Sequence, residues 1–543
     1  MSSYNVIHRV WNALWDQHLI MRRMLHFSQH LRLEKDEHNH EKSTSLNTDK
    51  EPRPGRTYSK TKFIGLLLGP ALFLVTLFLF HPAELSFEGR ATLAITLWVA
   101  TWWITEAIPI PASALLPVIL FPLFGALEAD GVVSSYGNDI IFLFLGGFLI
   151  AAAMEKWNLH LRIALTIINF VGASPNRLVL GFMIATGFLS LWISNTAAAM
   201  LMIPIGLAII TQATESFKHH NQPLDDLKKF EKSIVFGIGY AATIAGSGTL
   251  ISGTANPIMA GQASQMFGID ITFGQIMAIG IPFVTVFIVL AWGYITKIKY
   301  RTSLHYLPGG SDIIKSEKKK LGRMNFEEKI VLFVFLTVAF LWITRTFVWE
   351  SVFIQITDGM IAMVAVLLLF AIPASSLQER ILEWKDTAKI PWGILVLFGG
   401  GLAIAAAFQN TGLAEWIGIQ FTLLEGTHFL VIIIVLTLSV LLLTEITSTT
   451  ATATLLMPIV GSLGLALGVN PVVLMVACAF ATNASFMLPV ATPPNAIMFG
   501  TGKITSLDMI RVGGVLNIIS AILIVSVVTL LVPLIWGMDL LSL

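Results

Sequence analysis

Long apolar runs alternate with short polar stretches from about residue 63 to the end of the chain. A bilayer core is about 30 Å thick, and a helix needs roughly 20 apolar residues to cross it. By this criterion the pattern predicts spans near 63–81, 89–109, 112–126, 137–170, 234–267, 274–297, 329–348, 355–373, 391–424, 471–500 and 507–538. The sequence therefore predicts an all-α polytopic membrane protein with about 11 transmembrane helices.

Two further apolar segments, 178–211 and 428–467, are interrupted by polar residues near the middle. Residues 178–210 contain no charged side chain, and at about 1.5 Å per residue one helix would be about 50 Å long, well beyond the bilayer core. The interruptions are Ser-Asn-Thr at 194–196 and Ser-Thr-Thr at 448–450. Because such residues cap helix N-termini, each segment is predicted to break there and turn back as a re-entrant hairpin.

The two halves of the chain share motifs in the same order. "GGFLIAAAMEKW" from Gly146 returns as "GGLAIAAAFQN" from Gly400, and "SNTAAAMLMIPI" from Ser194 returns as "STTATATLLMPI" from Ser448, both at an offset of 254 residues (400 − 146 and 448 − 194). A third pair, "SGTANPIMAG" and "VATPPNAIMFG", returns at a slightly shorter offset. Each repeat holds an odd number of predicted crossings, so the second copy is inverted. Inverted repeats with broken helices are typical of secondary transporters.

The distribution of Lys and Arg orients the predicted spans. These residues concentrate in 218–232, 297–323 and 378–389, whereas 81–89 and 349–359 have none. By the positive-inside rule the first group is cytoplasmic and the second external, which predicts a cytoplasmic N-terminus and an extracellular C-terminus in the plasma membrane. The predicted organisation is a cytoplasmic tail at 1–62, a first transmembrane helix at 63–86, inverted repeat 1 at 87–297, a cytoplasmic linker at 298–328 and inverted repeat 2 at 329–543. For the tail, an interfacial helix and a disordered segment are both open.

The composition narrows the class of protein. With 55% hydrophobic residues, 12% charged residues and a mean hydropathy of +0.77, the chain is too apolar for a soluble protein. The net charge of +1 gives no reason to expect nucleic acid as a partner. A single cysteine, Cys478, excludes an intrachain disulfide and a cysteine-based metal site.

Each repeat brings two polar segments to membrane depth: a hairpin tip and a helix interrupted by Gly or Pro, near 253–257 and 491–495. Unwound backbone is tolerated there only if it lines a cavity or is buried in protein. The N–H groups of the restarting helices favour carboxylate or sulfate oxygens, and the free carbonyls favour sodium. None of these motifs contains Lys or Arg, so a bound dianion would gain from co-bound cations. Small polar residues also pack membrane helices together, which is the structural alternative for any single motif.

Glu445 is a carboxylate three residues before the second tip. Intramembrane carboxylates are candidates for function, and supporting the site, carrying a proton and a purely structural role are all open for Glu445. An intramembrane enzyme would need a nucleophile with a positioned base, and no His lies beside the hairpin hydroxyls in the sequence. A channel would need a continuous pore, whereas two hairpins that meet at one site favour occlusion.

Five stretches together resemble one known family, the divalent-anion:sodium symporters or INDY-like dicarboxylate transporters. These stretches are "LWVATWWITEAIPIPASALLP", "GNDIIFLFLGGF", "FLSLWISNTAAAMLMIPI", "TEITSTTATATLLMPI" and "FMLPVATPPNAIMFGTGKI". The resemblance runs from about residue 63 to the end. It implies a homodimer in which a scaffold domain holds the dimer interface and a transport domain, made of the hairpins and broken helices, moves substrate by an elevator mechanism.

The resemblance also implies a set of site residues. Those for substrate are Asn195, Thr196, Thr254, Ser448, Thr449, Thr450, Thr492 and Pro493. Those for a first sodium ion are Ser190, Ser194, Asn195 and the Gly253 carbonyl, and those for a second are Thr444, the Thr447 carbonyl, Thr449 and the Ala491 carbonyl. Two positions depart from the family pattern: Thr449 stands where Asn is usual, and the first broken helix has "GTANP" instead of Gly-Thr-Pro-Pro.

The resemblance implies transport of C4 or C5 dicarboxylates, such as succinate, malate, fumarate or 2-oxoglutarate, by alternating access. The expected partners are small dicarboxylate anions, membrane lipid and a second copy of the chain. Because Thr has one short hydroxyl where Asn has an amide, Thr449 weakens the second sodium site, and exchange of dicarboxylates or weak sodium dependence is favoured. Sodium-coupled symport is the alternative, and sulfate or citrate transport is less favoured. No cofactor or transition metal is expected beyond sodium as a coupling ion.

Overall fold

The chain is all-helical over the part that the computed structural model describes, which is residues 60–541 without 83, 173, 220–224, 305–309, 354 and 422–425. The predicted all-α class is confirmed, and extended structure within this part is limited to one isolated bridge between Pro373 and Arg380. The interfacial helix and the disordered segment considered for the tail fall on residues 1–59, which lie outside the described residues.

Helices follow one another closely along the first half of the described chain. They are Lys60–Leu79, Phe87–Thr105, Ile110–Ser113, Leu116–Leu123, Ala129–Tyr136, Asp139–Lys156, Leu159–Val171, Pro175–Ser190, Asn195–His219, Asp225–Ala245, Ala255–Phe267 and Phe273–Gly293, with a π-helical extension at Tyr294–Lys299.

The second half continues in the same way. Its helices are Gly310–Lys320, Phe326–Thr344 with a π-helical extension at Arg345–Trp349, Glu350–Val352, Asp358–Ala371, the 3-10 helix Trp384–Lys389, Trp392–Asn410, Leu413–Gln420, Phe429–Ile446, Thr449–Ala466, Pro471–Thr482, Pro493–Gly500, Ser506–Ser526 with a π-helical extension at Val527–Leu531, and Val532–Trp536.

Many of these helices are long and apolar enough to cross a membrane. Within the described residues, nine helices are long and apolar enough to cross a membrane, and four shorter apolar helices accompany them. In three of the nine, Lys60–Leu79, Phe326–Val352 and Ser506–Trp536, only 28% of the apolar window is buried inside the protein. Their exposed apolar surface is what a lipid environment stabilises. The total of about 11 transmembrane helices stays a prediction.

Two predicted spans, 137–170 and 391–424, are each divided into a long and a short helix. The short helices begin after Asn158 and Gly412, whose φ angles are 57° and 70°. Asn and Gly are the residues that best tolerate this left-handed conformation, which ends a helix. The two positions are 254 residues apart (412 − 158), so both repeats turn at the same point. The continuous apolar pattern did not reveal this division.

The predicted linker 298–328 contains a helix, Gly310–Lys320, where the hydrophobic pattern indicated only a hydrophilic loop. Its sequence is rich in Lys and also contains Glu, and both residues have high helix propensity. Propensity therefore favours a helix there, and the helix also buries Ile314, which is only 2% exposed, in the protein core.

The two predicted hairpin segments are both interrupted at their polar tips. The first consists of Pro175–Ser190 and Asn195–His219, and the second of Phe429–Ile446 and Thr449–Ala466. We call these pairs the first and second hairpin. Their entry into the membrane from one side stays a prediction.

One interrupted helix follows each hairpin. Asp225–Ala245 and Ala255–Phe267 flank the first break, and Pro471–Thr482 and Pro493–Gly500 flank the second. The helix after the first break packs against the second hairpin, and the helix after the second break packs against the first hairpin. Each break is therefore held beside the hairpin of the other repeat.

Buried apolar side chains form two clusters among the described residues. The smaller is built mainly from residues 73–132 and 397–414, and the larger includes the hairpins and both interrupted helices. The polar tips and breaks thus lie in a part of the fold that has its own extensive core.

Candidate functional site

The first hairpin tip is organised by a contact between predicted sodium ligands. The Ser190 hydroxyl lies 2.6 Å from the Asn195 side-chain oxygen and 3.0 Å from the Ala242 carbonyl oxygen. Ser190 ends the first helix of the hairpin and Asn195 begins the second, so the contact closes the turn. Ser194 accepts a bond from the Ala197 N–H through its hydroxyl, as a capping residue does. The tip presents neutral oxygen atoms, which suit sodium.

The first break is held by the side chain of Asn256. This residue is fully buried, and its amide donates to the carbonyls of Gly246 (3.2 Å) and Thr249 (2.7 Å), which lie ten and seven residues before it. The Ser252 hydroxyl also donates to the Gly246 carbonyl, at 3.0 Å. The Thr249 hydroxyl donates to the Leu191 carbonyl in the first hairpin, at 2.8 Å. The unwound backbone is therefore satisfied within the protein, as burial requires.

The second break has the same clamp. The fully buried Asn495 donates from its amide to the carbonyls of Ser485 (3.1 Å) and Leu488 (3.0 Å), again ten and seven residues before it. Sequence reasoning placed both asparagines in the motifs but gave them no role. An Asn in the first turn after each break was the signal that could have identified them.

Asn483 joins the two breaks. Its side chain is buried and donates to the Gly246 carbonyl at 3.2 Å and to the Asn256 side-chain oxygen at 3.3 Å. Gly246 in turn lies beside Asn195, because a Cβ added to Gly246 would be 2.8 Å from the Asn195 amide nitrogen. Together with the bond from Thr249 to Leu191, these bonds join the first tip and both breaks in one hydrogen-bonded unit. Sequence reasoning missed Asn483, which carries no repeat signal.

The repeats also meet through two predicted substrate residues. The hydroxyls of Thr254, at the end of the first break, and Thr450, at the second tip, are 2.8 Å apart. Both side chains are half-buried. A hydroxyl can donate and accept, so this pair can turn towards a ligand oxygen without leaving a buried charge.

The second tip is organised differently from the first. The Thr444 hydroxyl donates to the Val440 carbonyl of its own helix, at 2.6 Å, and the Thr447 and Thr452 hydroxyls are 2.6 Å apart. Within the described residues no hydrogen bond joins Thr444 to Thr449, the position equivalent to Asn195. The predicted second sodium ligands are therefore not linked in the way that Ser190 and Asn195 are.

The remaining predicted residues surround these contacts. Thr492 caps the helix after the second break by accepting the Asn495 N–H at 3.4 Å, and it is followed by the exposed Pro493. Ala491 is buried. The half-buried residues are Ser194, Thr196, Gly253, Ser448 and Thr449. The hydrogen bonds found for Thr196, Ser448 and Thr449 do not link them to the other predicted ligands in the part of the chain that the structure describes.

Glu445 is the charged residue of the second hairpin, and it faces the second break. Its side chain is 4% exposed and accepts hydrogen bonds from the N–H groups of Phe486, Met487 and Leu488. Asn517, from helix Ser506–Ser526, donates its amide to the same carboxylate at 2.8 Å. The carboxylate therefore ties the second hairpin to the second break.

A multi-helical apolar fold in which two interrupted hairpins contact two interrupted helices is typical of a multi-pass membrane transporter. The profile of the family described as "Sodium:sulfate symporter transmembrane region" matches residues 60–543. The chain belongs to this family of divalent-anion:sodium symporters. Its members are transporters and not enzymes.

Two bacterial relatives are similar over nearly the whole chain. The sodium-dependent dicarboxylate transporter SdcS of Staphylococcus saprophyticus is 52% identical over 491 residues, which cover 90% of this chain and 94% of the relative. The protein of the same name from Staphylococcus aureus is 50% identical over 501 residues, which cover 91% of this chain and 95% of the relative.

Two solved structures share the fold at low sequence identity. The YdaH transporter of Alcanivorax borkumensis is 13% identical with a TM-score of 0.54, covering 88% of this chain and 99% of that one. MtrF of Neisseria gonorrhoeae is 14% identical with a TM-score of 0.51, covering 87% of this chain and 95% of that one. At these identities the likeness concerns the fold alone.

Proposed function

We propose that this protein is a sodium-coupled symporter of C4 or C5 dicarboxylates. The observation that carries the proposal is the contact between Thr254 and Thr450, which brings one polar segment from each repeat to one place. The relatives that are 52% and 50% identical are named sodium-dependent dicarboxylate transporters, which supports the same substrate class here.

The chemistry of the site suits a dianion that binds together with cations. The hydrogen bonds of Ser190, Thr254 and Thr450 run to amide, carbonyl and hydroxyl oxygens. The Ser and Thr hydroxyls and the Asn195 side-chain N–H groups can donate to two carboxylates without a fixed positive charge. Sodium ions at the neighbouring carbonyl and hydroxyl oxygens would offset the substrate charge. The proposed substrate residues are Asn195, Thr196, Thr254, Ser448, Thr449, Thr450, Thr492 and Pro493.

We favour sodium-coupled symport here, although the sequence alone favoured exchange of dicarboxylates. The preference for exchange was based on Thr449, which replaces an Asn that would be a sodium ligand. The names of the relatives support sodium dependence instead. In this proposal Ser190, Ser194, Asn195 and Gly253 hold one ion. Thr444, Thr447, Thr449 and Ala491 hold another, with the backbone carbonyls of Thr447 and Ala491 compensating for the shorter Thr449 side chain.

We propose further that transport proceeds by an elevator movement in a homodimer in the plasma membrane, with the N-terminus inside. The smaller apolar cluster, built mainly from residues 73–132 and 397–414, supports a scaffold that contacts the second hairpin through helix Thr449–Ala466. The hydrogen-bonded unit of both breaks and the first tip supports a transport domain that moves as one body. Lipid and a second copy of the chain are the partners in this arrangement.

Uptake of labelled succinate into proteoliposomes tests the function. We expect an inward sodium gradient to drive accumulation in empty vesicles. Uptake only into vesicles preloaded with dicarboxylate, indifferent to sodium, would show an exchanger instead. Accumulation of labelled sulfate but not of succinate would overturn the substrate class.

The same assay tests the site. Asn195→Ala removes the partner of Ser190, and Thr450→Ala removes the partner of Thr254. We expect both variants to lose uptake while they elute from size-exclusion chromatography as the wild type does. Glu415→Gln, an exposed position on helix Leu413–Gln420, is the control. Wild-type rates from both site variants would disprove the assignment.

A further inference from the structure

The Glu445 carboxylate lies in a ring of N–H donors. Its Oε1 accepts the Phe486 N–H at 2.8 Å and the Asn517 amide at 2.8 Å, and its Oε2 accepts the Leu488 N–H at 3.2 Å. The Met487 N–H lies 3.1 Å and 3.0 Å from the two oxygens. Consecutive backbone N–H groups of this kind form an anion-binding concavity. Here the anion is a side chain of the protein itself.

The equivalent positions of the first repeat make the same tie without a charge. Leu191 stands 254 residues before Glu445 (445 − 191), and Thr249 stands seven residues before Asn256, as Leu488 does before Asn495. In the first repeat the Thr249 hydroxyl donates to the Leu191 carbonyl at 2.8 Å. In the second, the Leu488 N–H donates to Glu445. The same pair of positions therefore joins hairpin to break in both repeats, by different chemistry.

The contact in the second repeat needs more hydrogen bonds than the one in the first, because it buries a carboxylate. A buried carboxylate is tolerated when hydrogen bonds replace its hydration, and bonds to an ionised acceptor are stronger than neutral ones. Within the described residues no ion pair involves Glu445, and its hydrogen-bond donors are N–H groups of the break and of Asn517.

We infer that Glu445 is a positioning residue that holds residues 486–488 on the second hairpin, and thereby fixes Ala491 and Thr492 relative to Thr444 and Thr447. This inference rests on the proposed function, because those four residues are assigned there to substrate and sodium. Glu445 touches neither ligand. It sets the distance between the tip and the break that together hold the second sodium ion.

Sodium-dependent uptake of labelled succinate into proteoliposomes tests the role. Glu445→Gln keeps the size of the side chain but turns one acceptor into a donor that faces N–H groups. We expect the sodium concentration for half-maximal uptake to rise about tenfold or more, since buried donors lose their partner. Glu445→Asp keeps the charge, and we expect it to restore part of the sodium affinity. Wild-type sodium dependence of Glu445→Gln would overturn the inference.

Thr249→Val is the matched variant in the first repeat. It removes the neutral tie to Leu191 and also the acceptor of the Ser252 N–H, and we expect the sodium dependence to shift by about threefold. An equal or larger shift than that of Glu445→Gln would show that the charge has no special role. Glu415→Gln controls for loss of an exposed carboxylate.

A chemical probe tests the positioning without any transport. Ser485 lies in the second break, is fully buried, and its hydroxyl has no hydrogen-bond partner. Ser485→Cys, combined with Cys478→Ala to remove the native thiol, therefore gives a shielded thiol of similar size. We expect a maleimide to modify it slowly, and about tenfold faster when Glu445→Gln is added, because the break loosens.

The two readouts separate failure of the inference from failure of the proposed function. Unchanged maleimide rates in the Glu445→Gln background would overturn the positioning role even if succinate uptake is confirmed. If wild-type vesicles take up no succinate, the proposed function fails. In that case a faster maleimide reaction still shows that Glu445 holds the break.

Discussion

The two interrupted helices have the same internal clamp but different ties to their hairpins. In both, an Asn after the break donates to carbonyls ten and seven residues earlier. The first break is tied to its hairpin by a neutral hydroxyl, and the second by the Glu445 carboxylate. Satisfying the unwound backbone is thus a requirement that both repeats meet identically. The tie to the hairpin is where they differ in charge.

The hairpin tips differ in the pair of neutral side chains that closes each turn. The first tip is closed by Ser190 and Asn195, five residues apart, and the second by Thr447 and Thr452, also five residues apart. The positions equivalent to Thr447 and Thr452 in the first repeat are Ile193 and Ala198, which have no hydroxyl. Each repeat therefore closes its tip once, by its own pair of side chains.

The largest expected effect concerns a feature that both repeats share. A Cβ added to Gly280 would lie 2.5 Å from the Ser247 carbonyl oxygen in the first break, and one added to Gly513 would lie still closer to the Phe486 carbonyl oxygen in the second. The backbone of a break cannot shift without losing the hydrogen bonds that Asn256 or Asn495 donates to it. We expect Gly280→Ala and Gly513→Ala each to cost about 3 kcal/mol or more in stability.

The yield of monodisperse protein in detergent measures this effect. Gly293→Ala and Gly514→Ala, on the same two helices, are the matched controls because an added Cβ there meets nothing within 4 Å. A clear loss in only one repeat would show that the two breaks are not packed alike.

The next effect concerns the clamps. Asn256→Leu and Asn495→Leu keep the number and branching of the side-chain heavy atoms but remove two donated bonds each. Leaving buried carbonyls without donors costs about 1–3 kcal/mol, so we expect succinate uptake to fall about tenfold or more in both variants. Asn410→Leu, at an exposed position, serves as the control. Normal uptake by either clamp variant would mean that its break does not need the amide.

The sequence predicts the places where helices stop better than the contacts that hold them. Ser-Asn-Thr and Ser-Thr-Thr at the tips, and Gly and Pro in the breaks, interrupt helices through local chemistry, so both tips and both breaks could be located. The division at Asn158 could not, because the apolar pattern continues through it. The backbone partners of Glu445 could not either, since they are N–H groups 41–43 residues away that carry no side-chain signal. Asn483 contacts a carbonyl 237 residues away, which no local pattern indicates.

A reciprocal exchange of residues sharpens the comparison of the tips. Asn195→Thr gives the first tip the residue of the second, and it breaks the 2.6 Å contact with Ser190. We expect it to raise the sodium concentration for half-maximal uptake by about tenfold. Thr449→Asn gives the second tip an added amide oxygen, and we expect it to lower the same concentration by about threefold. If Asn195→Thr leaves sodium dependence unchanged, the amide at the first tip is not a sodium ligand.

The smallest expected effect concerns the pair that closes the second tip. Thr447→Val and Thr452→Val each remove one hydroxyl of the 2.6 Å contact. The Thr447 hydroxyl also contacts the Leu443 carbonyl of its own helix, so only part of its hydrogen bonding is lost with Thr452. We therefore expect a coupling free energy of about 0.5–1 kcal/mol, obtained from succinate uptake by the two single variants and the double variant. Thr452→Ser, which keeps the hydroxyl, should retain uptake. Strictly additive single effects would show that the two hydroxyls act independently, and the second tip would then be closed by its backbone alone.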